Sequence, residues 1–169
     1  MYRKGEYVIY RHDVCIIKDI KENTYYVLTP IDDNTLTINI PIENKMGLLK
    51  NIISTDNAKK LISQITKIEP IKDINEKNLE LKYKELLNTG TYEDLIKIIK
   101  TTYLRNENRL NNKKKVSEKD DTYFKLAEKY LYNELSISLN MSIEEVKNYI
   151  FKIVNKQSKN DDEYVNNFV

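Results

Sequence analysis

Two spacings of apolar residues divide the chain near residue 54. Before it, short runs rich in β-branched and aromatic residues have the make-up of strands: Tyr7-Val8-Ile9-Tyr10, Val14-Cys15-Ile16-Ile17, Tyr25-Tyr26-Val27-Leu28 and Leu36-Thr37-Ile38-Asn39-Ile40. Turn chemistry separates them at Arg11-His12-Asp13, Lys21-Glu22-Asn23-Thr24 and Asp32-Asp33-Asn34, and Pro41 closes the last run. Four or five short strands with tight connections predict a small antiparallel β module of the SH3 or Tudor kind over residues 1–54.

After residue 54 the spacing becomes helical. Ser54-Thr55-Asp56 can cap a helix carrying Ala58, Leu61, Ile62, Ile65 and Ile68, which Glu69-Pro70 stops. A second helix is expected from about Asn75 to Asn88, with Gly90 placed as a left-handed cap. Thr91-x-x-Asp94 opens a third, and a fourth starts at Ser117 and carries Tyr123, Leu126, Ala127, Tyr130, Leu131 and Leu135. The fifth begins with the capping box Ser142-x-x-Glu145 and carries Val146, Tyr149, Ile150, Ile153 and Val154. The fold class expected is therefore α+β, a β module followed by an all-helical bundle over residues 55–154. From Asn155 the composition turns to Lys, Asn, Asp and Gln, so residues 155–169 are expected to form a flexible tail with Tyr164, Val165, Phe168 and Val169 available to dock.

Composition narrows the chemistry. The chain has 169 residues, 40% of them hydrophobic, enough for a buried core. It contains no run of the roughly 18 to 20 apolar residues that a membrane span needs, and its start leads into no secretory segment, so a cytoplasmic protein without membrane contact is expected. Cys15 and His12 are the only residues of their kinds, which leaves no disulfide framework, no thiolate zinc cluster and no His-rich metal site. The three glycines, Gly5, Gly47 and Gly90, cannot write either phosphate-binding glycine motif. His12 sits in a turn beside Asp13, which cannot face it along an extended chain, and Cys15 lies in an apolar strand; both read as structural. A binding protein without a cofactor is expected, not an enzyme.

Lys+Arg 28 against Asp+Glu 26 gives a net charge of only +2, so the location of charge matters more than its sum. Between residues 97 and 115, Lys97, Lys100, Arg105, Arg109, Lys113, Lys114 and Lys115 face a single acid, Glu107. Clustered cations suit a phosphate backbone because each contact releases condensed counterions. A solvated helix end with cations complementing the macrodipole also accounts for them. Lys77, Lys82 and Lys84 add positive charge upstream, but Glu76, Glu80 and Glu85 interleave with them in the manner of helical ion pairs. Residues 134–150 have the cadence of a helix-turn-helix, although its second helix starts with Ser142, Glu144 and Glu145, of which the two acids would repel phosphate; ordinary hairpin packing is the competing reading.

The order of modules and their local wording resemble the CarD/CdnL family of bacterial transcription regulators, whose N-terminal module is shared with the polymerase-interacting domain of the transcription-repair coupling factor. Tyr2-Arg3-Lys4-Gly5-Glu6-Tyr7-Val8-Ile9-Tyr10 is similar to the family's opening, and Leu36-Thr37-Ile38-Asn39-Ile40-Pro41 with Asn44 to its strand ending in Val-Pro and the Asn that follows. Gly47-Leu48-Leu49-Lys50-Asn51-Ile52-Ile53-Ser54 resembles a Gly-Leu-Arg-x-hydrophobic-hydrophobic-Ser stretch, with one residue extra. Tyr83 to Gly90, Leu95 to Arg105, Val116-Ser117-Glu118 and Asn133-Glu134-Leu135 are similar to segments of the family's helices, so the likeness covers residues 2–154.

The resemblance implies a monomer that binds the β subunit of RNA polymerase by edge-strand pairing and rests its helical module on promoter DNA, changing the lifetime of the open complex. It places polymerase contacts at Asn23, Ile38, Asn39 and Lys50. DNA contacts fall to Lys77, Lys82, Lys84, Lys100, Arg105, Arg109, Lys113, Lys114 and Lys115. Two departures stand out. The Trp that wedges into the minor groove in the family falls near Glu76, in a chain with no Trp, and the family's basic polymerase contacts fall near Asn23 and on Asn39, which are uncharged. A module that binds polymerase without reading DNA, and a helix-turn-helix repressor, remain the alternatives.

Overall fold

The computed structural model describes residues 1–72 and 75–158. The chain divides into two compact units, Met1–Ser54 and Thr55–Val169.

The first unit is a curled antiparallel sheet of five strands, β1 (Tyr7–Tyr10), β2 (Asp13–Lys21), β3 (Tyr25–Pro30), β4 (Ile38–Pro41) and β5 (Leu49–Asn51), in the order β4-β3-β2-β1-β5. β2 is longer than its apolar run because it serves two neighbours: its first half pairs with β1, and Cys15 to Lys21 pair with β3. The register shifts between Ile17 and Asp19, a bulge that bends the strand and curls the sheet into a half-barrel. Glu22 and Asn23 both adopt left-handed backbone (φ 51° and 52°), and the Thr24 N–H donates to the Lys21 carbonyl at 2.9 Å, a mirror-image turn suited to a twisted hairpin. Val8, Cys15, Ile17, Tyr26, Leu28, Ile40 and Leu49 fill the concave side.

β4 starts two residues later than its hydrophobic pattern predicts. The Asp33 carboxylate accepts from both the Thr35 N–H (3.0 Å) and the Thr35 hydroxyl (2.6 Å), which holds residues 33–35 in a side-chain-braced turn and leaves Leu36 exposed. At the other edge, the Asn44 side chain stands in for a strand. It accepts from the Leu49 N–H and donates to the Leu49 carbonyl, both at 3.1 Å, so the short β5 is tied on the side away from β1.

The second unit contains α1 (Thr55–Gln64), a 3₁₀ turn (Ile65–Lys67), α2 (Glu76–Thr89), α3 (Tyr92–Asn111), α4 (Glu118–Leu139) and α5 (Ile143–Ser158). Caps lie at the expected starts of the second, third and fourth helices. Asn75, Thr91 and Ser117 accept from the third residue onward, and Gly90 closes α2 at φ 60°. Ser142 and Glu145 bond reciprocally, the Glu145 N–H donating to the Ser142 hydroxyl and the Ser142 N–H to the Glu145 carboxylate. Ile62, Ile65, Tyr83, Ile96, Ile98, Leu131, Leu135 and Ile150 are the large side chains at the centre.

The expected tail is corrected at its start. α5 runs on to Ser158 because Val154 is buried and the Gln157 amide ties it to α1 and the 3₁₀ turn, donating to the Ser63 carbonyl at 2.8 Å and accepting from the Thr66 hydroxyl at 3.0 Å. The remaining tail residues, with Tyr164, Val165, Phe168 and Val169, lie outside the described residues.

Candidate functional site

The β unit exposes backbone at β4, beyond which no strand lies among the described residues. The Ile42 N–H donates to the Thr24 carbonyl at 2.9 Å, and antiparallel ladders alternate along a strand, so Ile40 and Ile38 turn their backbone groups toward β3. Asn39 and Pro41 then turn theirs to the open edge, where the missing N–H of Pro41 breaks no ladder bond. Side chains follow the same alternation: Ile40 is buried and Ile38 half-buried, whereas Asn39 and Pro41 are exposed. Of the residues expected to meet polymerase, Ile38 and Asn39 therefore share an uncovered edge. Asn23 occupies the β2–β3 turn, where its left-handed backbone gives it a conformational reason to be Asn. Lys50 is on β5, at the opposite end of the strand order. Beside it His12 is half-buried, and burial, then the nearby Lys50 ammonium, push its pKa below the usual histidine value against a smaller opposing effect of Asp13.

In the helical unit the expected DNA contacts separate by what already holds them. The Lys100 ammonium donates to the carbonyls of Ile65 and Ile68, both at 2.7 Å, and closes the end of the 3₁₀ turn; burial lowers its pKa. Arg105 also turns inward. Its Nε donates to Asp120 at 3.1 Å and its Nη2 to Glu76. Asp120 is 0% exposed and also accepts from the Tyr83 hydroxyl at 2.9 Å, while Lys119 reaches Glu76 from the other side at 3.6 Å. Tyr83 is buried in the helical core, and burial, reinforced by Asp120, pushes its phenol far above the usual tyrosine range. The Arg105 hydrogen bond holds the Glu76 carboxyl below the usual glutamate range. Glu76, where the resemblance aligns the family's Trp, is thus part of an ion network.

Lys82 pairs with Glu85 and Lys84 with Glu80, each at 3.1 Å, and Lys97 pairs with Glu93 at 2.8 Å, as their helical spacing predicts. Lys77, Lys113, Lys114 and Lys115 are exposed and have no ion-pair partner among the described residues. Arg109 is intermediate: its Nε donates to the Lys115 carbonyl at 2.8 Å, leaving its two Nη groups without a partner among the described residues.

Asp120 is the organising residue that the sequence reading does not single out. As the third residue after the Ser117 cap it looks like any acid in a first helical turn, and only the fold brings Tyr83 and Arg105 onto it. Glu134, buried at 6% exposure and accepting from the Tyr92 hydroxyl at 2.7 Å, is a second such case. At the helix-turn-helix candidate, Asn140 ends α4 at φ 52°, Val146 and Ile150 point into the core, and Glu144 and Glu145 are exposed at the start of α5. Among the described residues no cluster of three or more His, Cys, Asp and Glu could hold a metal ion, and no helix is long and apolar enough to cross a membrane. No family model and no curated protein matches the chain.

Proposed function

We propose that the chain is a CarD-like transcription regulator that pairs its β4 edge with the β subunit of RNA polymerase and rests its helical unit on promoter DNA. The observation that carries this reading is the uncovered β4 strand. Its Asn39 and Pro41 direct backbone outward, while Ile38 and Ile40 anchor it to the sheet. An added strand would gain main-chain hydrogen bonds there, with Asn39 supplying side-chain contact. The DNA arm rests on Arg109, Lys113, Lys114, Lys115 and Lys77, those of the expected DNA contacts whose charged groups keep donors without a partner among the described residues. Lys100 and Arg105 hold the helices together and act on DNA only through the positions of others.

The test is a pull-down of the full chain with the isolated polymerase β-subunit lobe. Binding is expected at roughly micromolar to tens of micromolar affinity, as for a small transient interface. Asn39→Pro, which removes an outward N–H from the edge, should weaken it by about tenfold or more. No binding by the wild-type chain overturns the reading. A second reading, polymerase binding without DNA contact, is favoured by the inward engagement of Lys100 and Arg105. It is separated by salt: replacing Lys113, Lys114 and Lys115 with Ala should flatten the salt dependence of promoter-complex stabilisation by about 0.9 in log–log slope per lost phosphate contact.

A further inference from the structure

At the C-terminal end of α3 lies a depression of about 180 Å³ lined by Glu76, Arg105, Asn108, Arg109, Asn112 and Lys114. It far exceeds the space of about 10–15 Å³ that one water needs. Its walls are fixed by the backbone. Lys113 takes left-handed backbone at φ 56°, its N–H donates to the Leu110 carbonyl (2.9 Å) and the Lys114 N–H to the Arg109 carbonyl (2.8 Å). Farther along, the Ser117 N–H donates to the Asn106 side chain at 2.8 Å, so the lysine-rich turn is fastened to α3 at both ends. The Lys115 carbonyl in turn holds Arg109 Nε, which fixes the plane of the guanidinium without occupying its two Nη groups.

We propose that this depression is a phosphate-binding seat, with Arg109 presenting two N–H groups as a fork and Lys114 a point charge to one phosphoryl group. Two objections can be weighed. The last turn of a helix is the unfavourable end for an anion, but the carbonyls of Asn108, Arg109 and Leu110 already accept from the backbone N–H groups of residues 112–114. Glu76 is an acid in the wall, but Arg105 and Lys119 both neutralise it. Three cations against one acid leave the lining at +2. The phosphoryl group can come from a nucleic-acid backbone or from a free phosphate ester. Only the first source rests on the DNA-contact reading above.

The test uses the full ¹⁵N-labelled chain titrated with sodium phosphate against sodium chloride at matched ionic strength, followed by nuclear magnetic resonance. Saturable shifts are expected at Arg109 Nε–H and at the Asn108 and Asn112 side-chain amides. Arg109→Gln and Lys114→Gln should each weaken them by about tenfold, whereas Lys152→Gln on α5 should not. The Lys114 ammonium has no partner among the described residues, so Lys114→Gln removes charge without removing a contact of the fold. Absence of residue-specific shifts in the wild-type chain, or shifts in both Gln variants as strong as in the wild type, overturns the proposal.

A second arm measures binding to a short DNA duplex. A fall of about 0.9 in the salt slope for Arg109→Gln supports a nucleic-acid phosphate as the occupant, and phosphate shifts with an unchanged slope support a free phosphate ester. If the wild-type chain fails to bind duplex at all, the DNA arm of the regulator reading falls, and the phosphate titration alone decides the pocket.

Discussion

The β unit and the helical unit place their polar groups in opposite ways. The sheet closes over an apolar cluster of Val8, Cys15, Ile17, Tyr26, Leu28, Ile40 and Leu49, and Thr29 is its one buried polar residue among those described. The helices bury the carboxylates of Asp120 and Glu134 and turn Lys100 and Arg105 inward to carbonyls and acids. What the β unit can offer a partner is therefore backbone, along one uncovered edge. The helical unit offers charge, and a cation's place in the sequence does not say whether the fold has already used it. Residues 97–115 sum to +6, yet Lys97, Lys100 and Arg105 are engaged within the unit, so four cations at the end of α3 carry its outward field.

This contrast predicts different sensitivities. Asp120→Ala should be the most damaging single change, because it leaves the Tyr83 hydroxyl without its acceptor and Arg105 without its buried counter-charge. Removing one partner of a buried pair costs about 3–5 kcal/mol, to be read from urea unfolding followed by the helical circular dichroism signal. A loss within about 0.5 kcal/mol, typical of an exposed site, would show that the network is a surface feature and would collapse the contrast. In the β unit the comparable change is apolar. Leu28→Ala, at a fully buried position in β3, should cost about 2–5 kcal/mol through lost transfer energy and a cavity. Hydrogen exchange of the β-unit amides measures it.

The same contrast explains how much of the molecule could be read from the chain. Strands and helices were legible because burial imposes a period. Ile38 and Ile40 alternate with Asn39, and Val146, Ile150 and Val154 recur at helical spacing. Helix starts were legible because Asn75, Thr91, Ser117 and Ser142 act on neighbours within a few residues. The start of β4 was not, since the Asp33 to Thr35 turn competes with the β-propensity of Leu36 and Thr37. Nor was the fate of the cations. Lys84 and Lys97 bond to acids one turn away, which spacing reveals, but Lys100 meets carbonyls 32 and 35 residues earlier and Arg105 meets acids 15 and 29 residues off. Long-range polar partnerships leave no local pattern, so a list of candidate DNA contacts drawn from composition mixes positioning residues with available ones.

A smaller effect tests the caps. Gly90 closes α2 at φ 60°, where a Cβ costs roughly 1–2 kcal/mol. Gly90→Ala should therefore lower the helical unit's unfolding free energy by about that amount, and an unchanged value would mean that the last turn relaxes to a right-handed end.

The finest discrimination between the units comes from acid. The His12 pKa in the folded β unit lies below the ordinary histidine value of 6.5, chiefly through burial and then through Lys50. The unfolded chain therefore binds the proton more readily, so the stability that neutral His12 contributes is present above pH 6.5 and is lost as pH falls through the folded value. Glu76 in the helical unit is lowered from 4.5, and by the same sign its contribution is kept above that pH and lost only below it. Between the two values, acidification should weaken the amide protection of β1, β2 and β5 while the helical amides hold. His12→Gln should remove that pH dependence from the strands. Equal weakening of the helices over the same window, or a pH dependence that persists in His12→Gln, would mean that the acid response does not originate at this turn.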